Sequence, residues 1–578
     1  MCDVIFITPN MQANPAEEVT GTLQLATILK NNGVNCEILQ FFRIGDLSDF
    51  NGFIQNALKI ISEKQPKIVS FYTRCDSYHI DLKLAEKIKE LDQDIYVVFG
   101  GPQSDIVAEK TISQIPYVDY ICCGEGESTI YPFFSSLLAK KPNLTVPGLV
   151  YRENENIKIN PRPELMPNFD NLPLIDYSFF DFSRADENHE RSYFPIEVGR
   201  GCPFACTYCT TKSFWGRRYR LKEPERIYRE IKSIHEEYGI TRFAFVHDMF
   251  TLNRDKVIET CKLLKSLDFP IEWKCSARLD CIDPELIDIM ADAGMVRMFI
   301  GIETGSKRMQ KLINKNLKLD NVIEMVKYLN ESQVAITASF IHGFPEETDE
   351  DISQTLDLII QLLKFKNVRV QTHLCTFLAG TEMTDKYISE LTRSDTYSDV
   401  TGVFAIDECN ELFEKYPDLF LQMYEYKTEM RSKLKYFKQF IWAYRSMTRV
   451  YDYLLKYYQS GNSINLYYDF VDANEKLLKM LGEDPLQSNE NLIIENDAFY
   501  KRFADDENYD IINDMYRLKI ARNSEEVRNG GSVTDIYCFS PFDSKGGVPI
   551  GQIKKTMNVI TCKKNENGKV IYKVNPLK

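Results

Sequence analysis

Residues 195–209 read PIEVGRGCPFACTYC: a short apolar strand, a Gly-Arg-Gly turn, and then Cys202, Cys206 and Cys209 in a C-x3-C-x2-C loop. A structural zinc site ordinarily closes four ligands and draws on a second paired knuckle, and the chain has no other C-x2-C to provide one. A disulfide would leave one thiol over. Three thiolates on one tight loop suit an iron–sulfur cube, because cysteine sulfur is the soft ligand such clusters use. The fourth iron is then open to substrate or cofactor.

Downstream of this loop, apolar runs alternate with helix-length stretches. The runs are RFAFV (242–246), EWKCS (272–276), MFIGI (298–302), AITASF (335–340) and VRVQTHL (368–374). Counted with PIEV they make six candidate strands, and each of the first five is followed by an amphipathic segment, for example Ile227, Ile231, Ile234 and Tyr238 on one helical face. Polar or glycine-rich text follows the strands: His247-Asp248, Ser276-Ala277-Arg278-Leu279-Asp280, Gly301-Ile302-Glu303-Thr304-Gly305 and His342-Gly343-Phe344-Pro345-Glu346-Glu347-Thr348. Each such end also reads as a helix cap, Asp248 most readily.

Upstream, the runs at 4–8, 34–39, 68–71, 95–99 and 118–122 give five βα units, the pattern of a doubly wound parallel sheet. Ile80, Leu84, Ile88 and Leu91 mark the buried face of one intervening helix. Ligands of such sheets sit beyond the strand carboxyl ends. Here those ends carry Thr8-Pro9-Asn10-Met11-Gln12, Ser70 to Cys75, Gly100-Gly101-Pro102 and Gly124-Glu125-Gly126-Glu127. Gly-Gly-Pro permits close approach of a ligand and then a sharp turn, although an ordinary βα turn has the same composition. No G-x-G-x-x-G follows the first strand, which excludes the nicotinamide fingerprint.

Between Pro147 and Phe182 a possible hairpin gives way to proline-rich text, a domain boundary. The expected organisation is 1–145, a linker at 146–190, a second unit at 191–385 and an extension at 386–578. The extension opens with helical, aromatic-rich text in which Phe437, Phe440, Tyr444, Tyr451, Leu454 and Leu455 recur at core spacing. Past Pro485 lies an Asn- and acid-rich region, followed by short β-like runs with a hairpin about the turn ENG, and by Cys538 and Cys562, read as buried thiols. The chain carries Lys+Arg 70 against Asp+Glu 84, a net charge of −14 that would repel a nucleic-acid backbone. It shows no apolar stretch long enough for a membrane and no signal peptide, and the odd count of 15 cysteines fits reduced thiols. A cytoplasmic protein with neither nucleic-acid nor membrane partner is expected.

The cysteine loop, with an aromatic residue before its last cysteine, resembles the signature of the radical S-adenosylmethionine enzymes, and the five-unit domain ahead of it resembles their cobalamin-binding branch, with its G-G-P and G-E-x-E turns. The resemblance covers residues 1–385. It implies an α/β chain with an N-terminal Rossmann-like cobalamin-binding domain, a central partial (β/α)6 TIM-like barrel, and a mainly helical α+β extension that shapes substrate choice. It implies a 4Fe–4S cluster on Cys202, Cys206 and Cys209. S-adenosylmethionine would be held near Tyr208, Ser276, Arg278, Glu303 and Gly343, and cobalamin near Thr8, Ser70, Arg74, Gly100, Gly101, Gly124, Glu125 and Glu127. Tyr72 is a further contact expected near the nucleotide tail. The D-x-H-x-x-G loop is absent, and His79 reads as a surface or helix-start residue rather than a cobalt ligand. The implied activity is reductive cleavage of S-adenosylmethionine to a 5′-deoxyadenosyl radical, hydrogen abstraction from an unactivated carbon and methylation through cobalamin, or else cyclisation, epimerisation or rearrangement. The substrate would be a peptide or small molecule, and the electron donor a flavodoxin- or ferredoxin-type protein.

Overall fold

The computed structural model describes residues 2–10, 20–180, 193–394, 406–458, 462–475, 478, 497–523, 527, 532–537, 550, 558–564 and 570–576. Met11, Gln12, Cys538, the acid-rich region up to residue 496 and the turn at 566–568 lie outside the described residues.

The first sheet contains β1 (Val4–Thr8), β2 (Cys36–Gln40), β3 (Ile68–Tyr72), β4 (Tyr96–Gly100) and β5 (Tyr120–Cys122), all parallel, in the order β2-β1-β3-β4-β5. Every residue of β1 is buried, because helices cover both faces; this is why the strand reads as an unbroken apolar run. The strand order reverses between β1 and β3, which opens a crevice at their carboxyl ends. The hairpin assigned to the linker instead extends this sheet: β6 (Leu149–Glu153) pairs antiparallel with β5, and β7 (Asn156–Ile159) pairs with β6. On the helix Tyr78–Leu91, Ile80, Leu84 and Ile88 are fully buried as expected, but Leu91 is 45% exposed. It lies on the right face, yet the helix stops there and no further turn covers it.

The second sheet is built from β8 (Phe194–Glu197), β11 (Arg242–Val246), β12 (Glu272–Ala277), β13 (Met295–Glu303), β14 (Ala335–His342) and β15 (Val368–Leu374), parallel and in sequential order. A small antiparallel ladder of β9 (Gly199–Arg200) and β10 (Arg220–Leu221) stands at its rim and brackets the cysteine loop. This is the expected partial barrel, its strands beginning or ending within a few residues of the apolar runs. Along β13, Met298, Ile300 and Ile302 face the helix layer while Arg297, Phe299 and Gly301 face the lumen. Trp273 is fully buried, stacks on Phe245 at 4.6 Å and donates its indole N–H to the Ala293 carbonyl at 2.8 Å. Truncating it to Ala would cost about 3–5 kcal/mol. One apolar core runs from the first sheet's helix Thr20–Asn31 into β8 and through the barrel.

In the extension the expected long helix breaks at Met447 into Phe437–Ser446 and Thr448–Leu454. Phe440 packs against Tyr444, Tyr451, Tyr467 and Phe470 at 5.3–6.0 Å between ring centroids, so this aromatic stripe is core. The strands Ser532–Tyr537, Asn558–Lys564 and Val570–Pro576 form an antiparallel sheet in which Cys562 is buried. No helix among the described residues is long and apolar enough to cross a membrane.

Candidate functional site

The carboxyl ends of the two parallel sheets border one open cavity of about 1180 Å³. That exceeds the roughly 300–1,000 Å³ of an ordinary small-molecule pocket. Cys202, Cys206 and Cys209 line it together with Tyr208, Ser276, Arg278 and Glu303 on the barrel side, and Tyr72, Arg74, Gly101, Gly124, Glu125 and Glu127 on the side of the first domain.

The cysteine loop is pinned by backbone contacts on three sides. Cys209 N–H bonds the Cys206 carbonyl at 3.2 Å, Thr207 N–H bonds the Ile313 carbonyl at 3.0 Å, and the Thr207 carbonyl accepts from Met383 N–H at 2.9 Å. Gly201 opens the loop at φ +87°, and a Cβ there would lie 2.0 Å from the Arg218 carbonyl, so only glycine fits. Its N–H donates to Asp248 Oδ2 at 3.2 Å. Asp248 is therefore a tether for the loop and not a helix cap; Asn253 caps the helix that follows. His247 accepts from Met249 N–H through Nδ1 at 2.6 Å and reaches the Arg220 carbonyl with Nε2 at 3.2 Å, and burial lowers its pKa to about 4. It is a neutral, structural imidazole. Burial raises Cys202 to about 11 and also raises Cys206. Among the described residues no three His, Cys, Asp or Glu side chains gather closely enough to share a metal ion.

Beside the loop, Arg278 lies over the Phe204 ring at 3.8 Å, and forks onto Asp280 at 2.9 and 2.8 Å. Its Nη2 also donates to the Lys315 carbonyl at 2.8 Å, while Nη1 is buried with no partner. An orphaned guanidinium N–H costs free energy unless a ligand accepts from it, which suits the carboxylate or ribose hydroxyls of S-adenosylmethionine. Glu303 ends β13 after a bulge, at φ +70°, a left-handed conformation that non-glycine residues hold at a cost of about 1–3 kcal/mol, mostly at functional sites. Its Oε1 accepts from Lys315 Nζ at 3.0 Å. Lys315 thus belongs to the site, although no motif marks it. Tyr208 stands edge-on to Phe344 at 6.1 Å, and burial, with Glu303 and Cys206 adding to it, keeps its phenol protonated.

The first domain meets the loop through charge. Arg200, two residues before Cys202, donates to Glu197 at 2.9 Å and to Glu125 at 2.8 Å, and also bonds Glu127; Arg220 donates to both Glu125 oxygens at 2.9 Å. Both guanidinium groups lie over Phe169, at 4.8 and 5.0 Å. The Gly-Glu-Gly-Glu carboxylates, expected to hold a cofactor, are engaged in this network. Gly101, at φ +92°, is required by the protein itself, since a Cβ would meet the Thr73 backbone at 2.8 Å. Arg74 is paired with Asp76 at 2.9 Å but still borders the cavity.

Four expected residues do not line the cavity. Thr8 and Ser70 are buried within or at the end of their strands, Gly100 closes β4, and Gly343 is bound to its own turn, donating to Glu347 at 2.6 Å and accepting from Arg431 at 3.2 Å. His79 stands at a helix start, as read, but is fully buried edge-on to Phe413 at 5.2 Å instead of lying at the surface.

Residues 196–359 match the family described as the Radical SAM superfamily. An uncharacterized methyltransferase of Pyrococcus horikoshii is 29% identical over 298 residues, 52% of this chain and 65% of that protein. The anaerobic magnesium-protoporphyrin IX monomethyl ester cyclase of Cereibacter sphaeroides is 24% identical over 372 residues, 61% of this chain and 58% of that protein. The chain spans less than two thirds of the length of either relative. Among solved structures, the cobalamin-dependent S-adenosylmethionine radical enzyme OxsB, with aqua-cobalamin and S-adenosylmethionine bound, aligns with a TM-score of 0.58 at 14% identity, covering 90% of this chain and 83% of that one. At that identity the similarity is one of fold.

Proposed function

We propose that this chain, which carries a radical SAM domain over residues 196–359, is a cobalamin-dependent radical enzyme that methylates an unactivated carbon of a small molecule or peptide. When bound, a 4Fe–4S cluster, S-adenosylmethionine and cobalamin would together supply a 5′-deoxyadenosyl radical for hydrogen abstraction and a methyl group for transfer. The observation that carries the reading is the convergence of Cys202, Cys206, Cys209, Arg278 and Glu303 on the same cavity wall.

Each residue has a definite task in this account. Cys202, Cys206 and Cys209 would hold three irons of the cluster. Arg278, fixed by Asp280 and Phe204, presents its spare Nη1 to the S-adenosylmethionine carboxylate or ribose, and Glu303, held in place by Lys315, faces the ammonium. Tyr208 and Ser276 complete that wall, and Phe204 helps exclude water. Across the cavity, Tyr72, Arg74, Gly101 and Gly124 offer the surface for cobalamin. His79, the one imidazole in residues 1–145, is buried and does not line the cavity, so this domain would hold cobalamin through Tyr72, Arg74 and its glycine turns and not through a histidine of its own. A flavodoxin- or ferredoxin-type protein would deliver the electron, in the cytoplasm. The similarity to the cyclase favours a second reading, ring closure or rearrangement without methyl transfer.

The test is titration of the anaerobic protein with hydroxocobalamin, followed by turnover with methyl-labelled S-adenosylmethionine. The proposal expects a bound corrin spectrum and label in the product. Cleavage without label in product would favour the second reading, and a chain that retains no corrin at saturating ligand would refute the assignment to the first domain.

A further inference from the structure

The lower half of the barrel lumen carries cations that no carboxylate answers. Lys274 on β12 sits opposite Arg297 on β13; one layer up, Phe299 of β13 sits opposite Thr337 of β14, which sits opposite Arg369 of β15. All of these residues line the cavity that also holds the cysteine loop. Neighbouring strands lie about 4.8 Å apart, so three long cationic side chains on β12, β13 and β15 can reach a common point. Among the described residues none of the three makes an ion pair. Glu272, at the foot of β12, is paired with Arg242 instead.

The carboxylates around the same cavity are all engaged elsewhere: Glu125, Glu127 and Glu197 on Arg200, Asp105 on Arg162, Glu303 on Lys315 and Asp248 on the Gly201 N–H. In a chain of net charge −14, the floor of this chamber is a local positive site. Burial and the neighbouring Arg297 and Arg242 lower the pKa of Lys274, as expected of an ammonium without a counter-charge. Phe299 of β13 and Val246 of β11, lumen residues on either side of β12, remain 40% and 43% exposed, so apolar surface borders the cations.

We propose that Lys274, Arg297 and Arg369 form the recognition site for a multiply charged anionic group, a phosphate-type dianion or a pair of carboxylates, on a substrate whose apolar body lies against Phe299 and Val246. The assignment deepens the proposed function, on which it rests for naming the cavity a substrate chamber. Glu303 lies six positions beyond Arg297 along β13, about 20 Å of strand, which leaves room for the reacting carbon of an anchored substrate to stand between the anion site and the cysteine loop. Guanidinium forks bind such oxyanions bidentately, and a lysine supplies the third charge.

The experiment is calorimetric titration of the full chain as purified, with phenyl phosphate, phthalate, benzoate and benzylamine as probes. Phenyl phosphate or phthalate should bind more tightly than benzoate, the better of the two naming the source of the charge, and benzylamine should not bind. Arg297→Gln and Arg369→Gln should each weaken the dianion about tenfold, and Arg297→Lys by less. Unchanged affinity for phenyl phosphate and phthalate in the Arg297→Gln/Arg369→Gln double variant, or benzoate binding as tightly as the dianions, would overturn the proposal. The titration involves no radical chemistry: a chain that binds the dianion through these arginines but never cleaves S-adenosylmethionine refutes the proposed function and not the anion site, and the converse result refutes the anion site alone.

Discussion

Arg200 Nη1 donates to Glu125 Oε1 at 2.8 Å, joining the turn after the fifth strand of the first sheet to the residue two positions before Cys202. Both side chains are buried, at 6% and 2% exposure, and Arg220 shares the same carboxylate. The domain that would hold one cofactor is thereby fastened to the loop that would hold another.

Removing Glu125 leaves two buried guanidinium groups short of charge. Glu125→Ala should lower the unfolding free energy in urea by about 3 kcal/mol, the lower part of the range for breaking a buried pair, because Arg200 retains Glu127 and Glu197. A loss below about 1 kcal/mol would contradict a structural role for the contact.

Gly201→Ala forces a side chain into the Arg218 carbonyl at a positive φ. The barrel has no other reason to unfold, so the variant should retain its circular dichroism while its iron content after anaerobic reconstitution falls to less than half of the wild-type value.

Arg278→Lys keeps a charge but loses the fork that holds Asp280 while offering Nη1 to a ligand. Affinity for S-adenosylmethionine, read by equilibrium dialysis on the reconstituted protein, should fall about tenfold or more. Lys315→Met should weaken it as well, because Glu303 then loses the hydrogen bond that fixes its Oε1 at the cavity wall.

Burial pushes the Glu347 carboxyl up to about 8, against the opposing pull of the Gly343 and Phe344 N–H groups. The folded chain therefore holds a proton that the unfolded chain releases near the ordinary 4.5. The associated stability is full below about pH 4.5 and is lost as pH rises through 8. Thermal unfolding of the wild type relative to Glu347→Gln should show the gap between them shifting in favour of the variant from about pH 5 to pH 8; a gap independent of pH would contradict this.

The parts of the site that can be read along the chain are those whose chemistry is local. Cys202, Cys206 and Cys209 fall within eight residues, and the strands announce themselves because burial on both faces leaves unbroken apolar runs. What cannot be read is pairing across distance. Arg200 meets Glu125 across 75 residues, and Lys315 reaches Glu303 from a loop twelve residues on, with no pattern to mark it. Gly343 looked like a cofactor contact because its turn matches a motif, yet Glu347 and Arg431 occupy its polar groups. The lumen cations did leave a signal: Lys274, Arg297 and Arg369 are charges within the strands, each between two apolar neighbours, at positions of the two-residue period that face away from the helix layer. Reading them needed the register between strands, which only the fold supplies.

The most direct test of the central claim is the electron paramagnetic resonance spectrum of the reduced, reconstituted protein, recorded with and without S-adenosylmethionine. A three-cysteine cluster with one open iron predicts a 4Fe–4S signal that changes when the ligand binds and is absent from the Cys202→Ala/Cys206→Ala/Cys209→Ala variant. A cluster signal indifferent to S-adenosylmethionine, or a chain that takes up zinc and no iron, would contradict it.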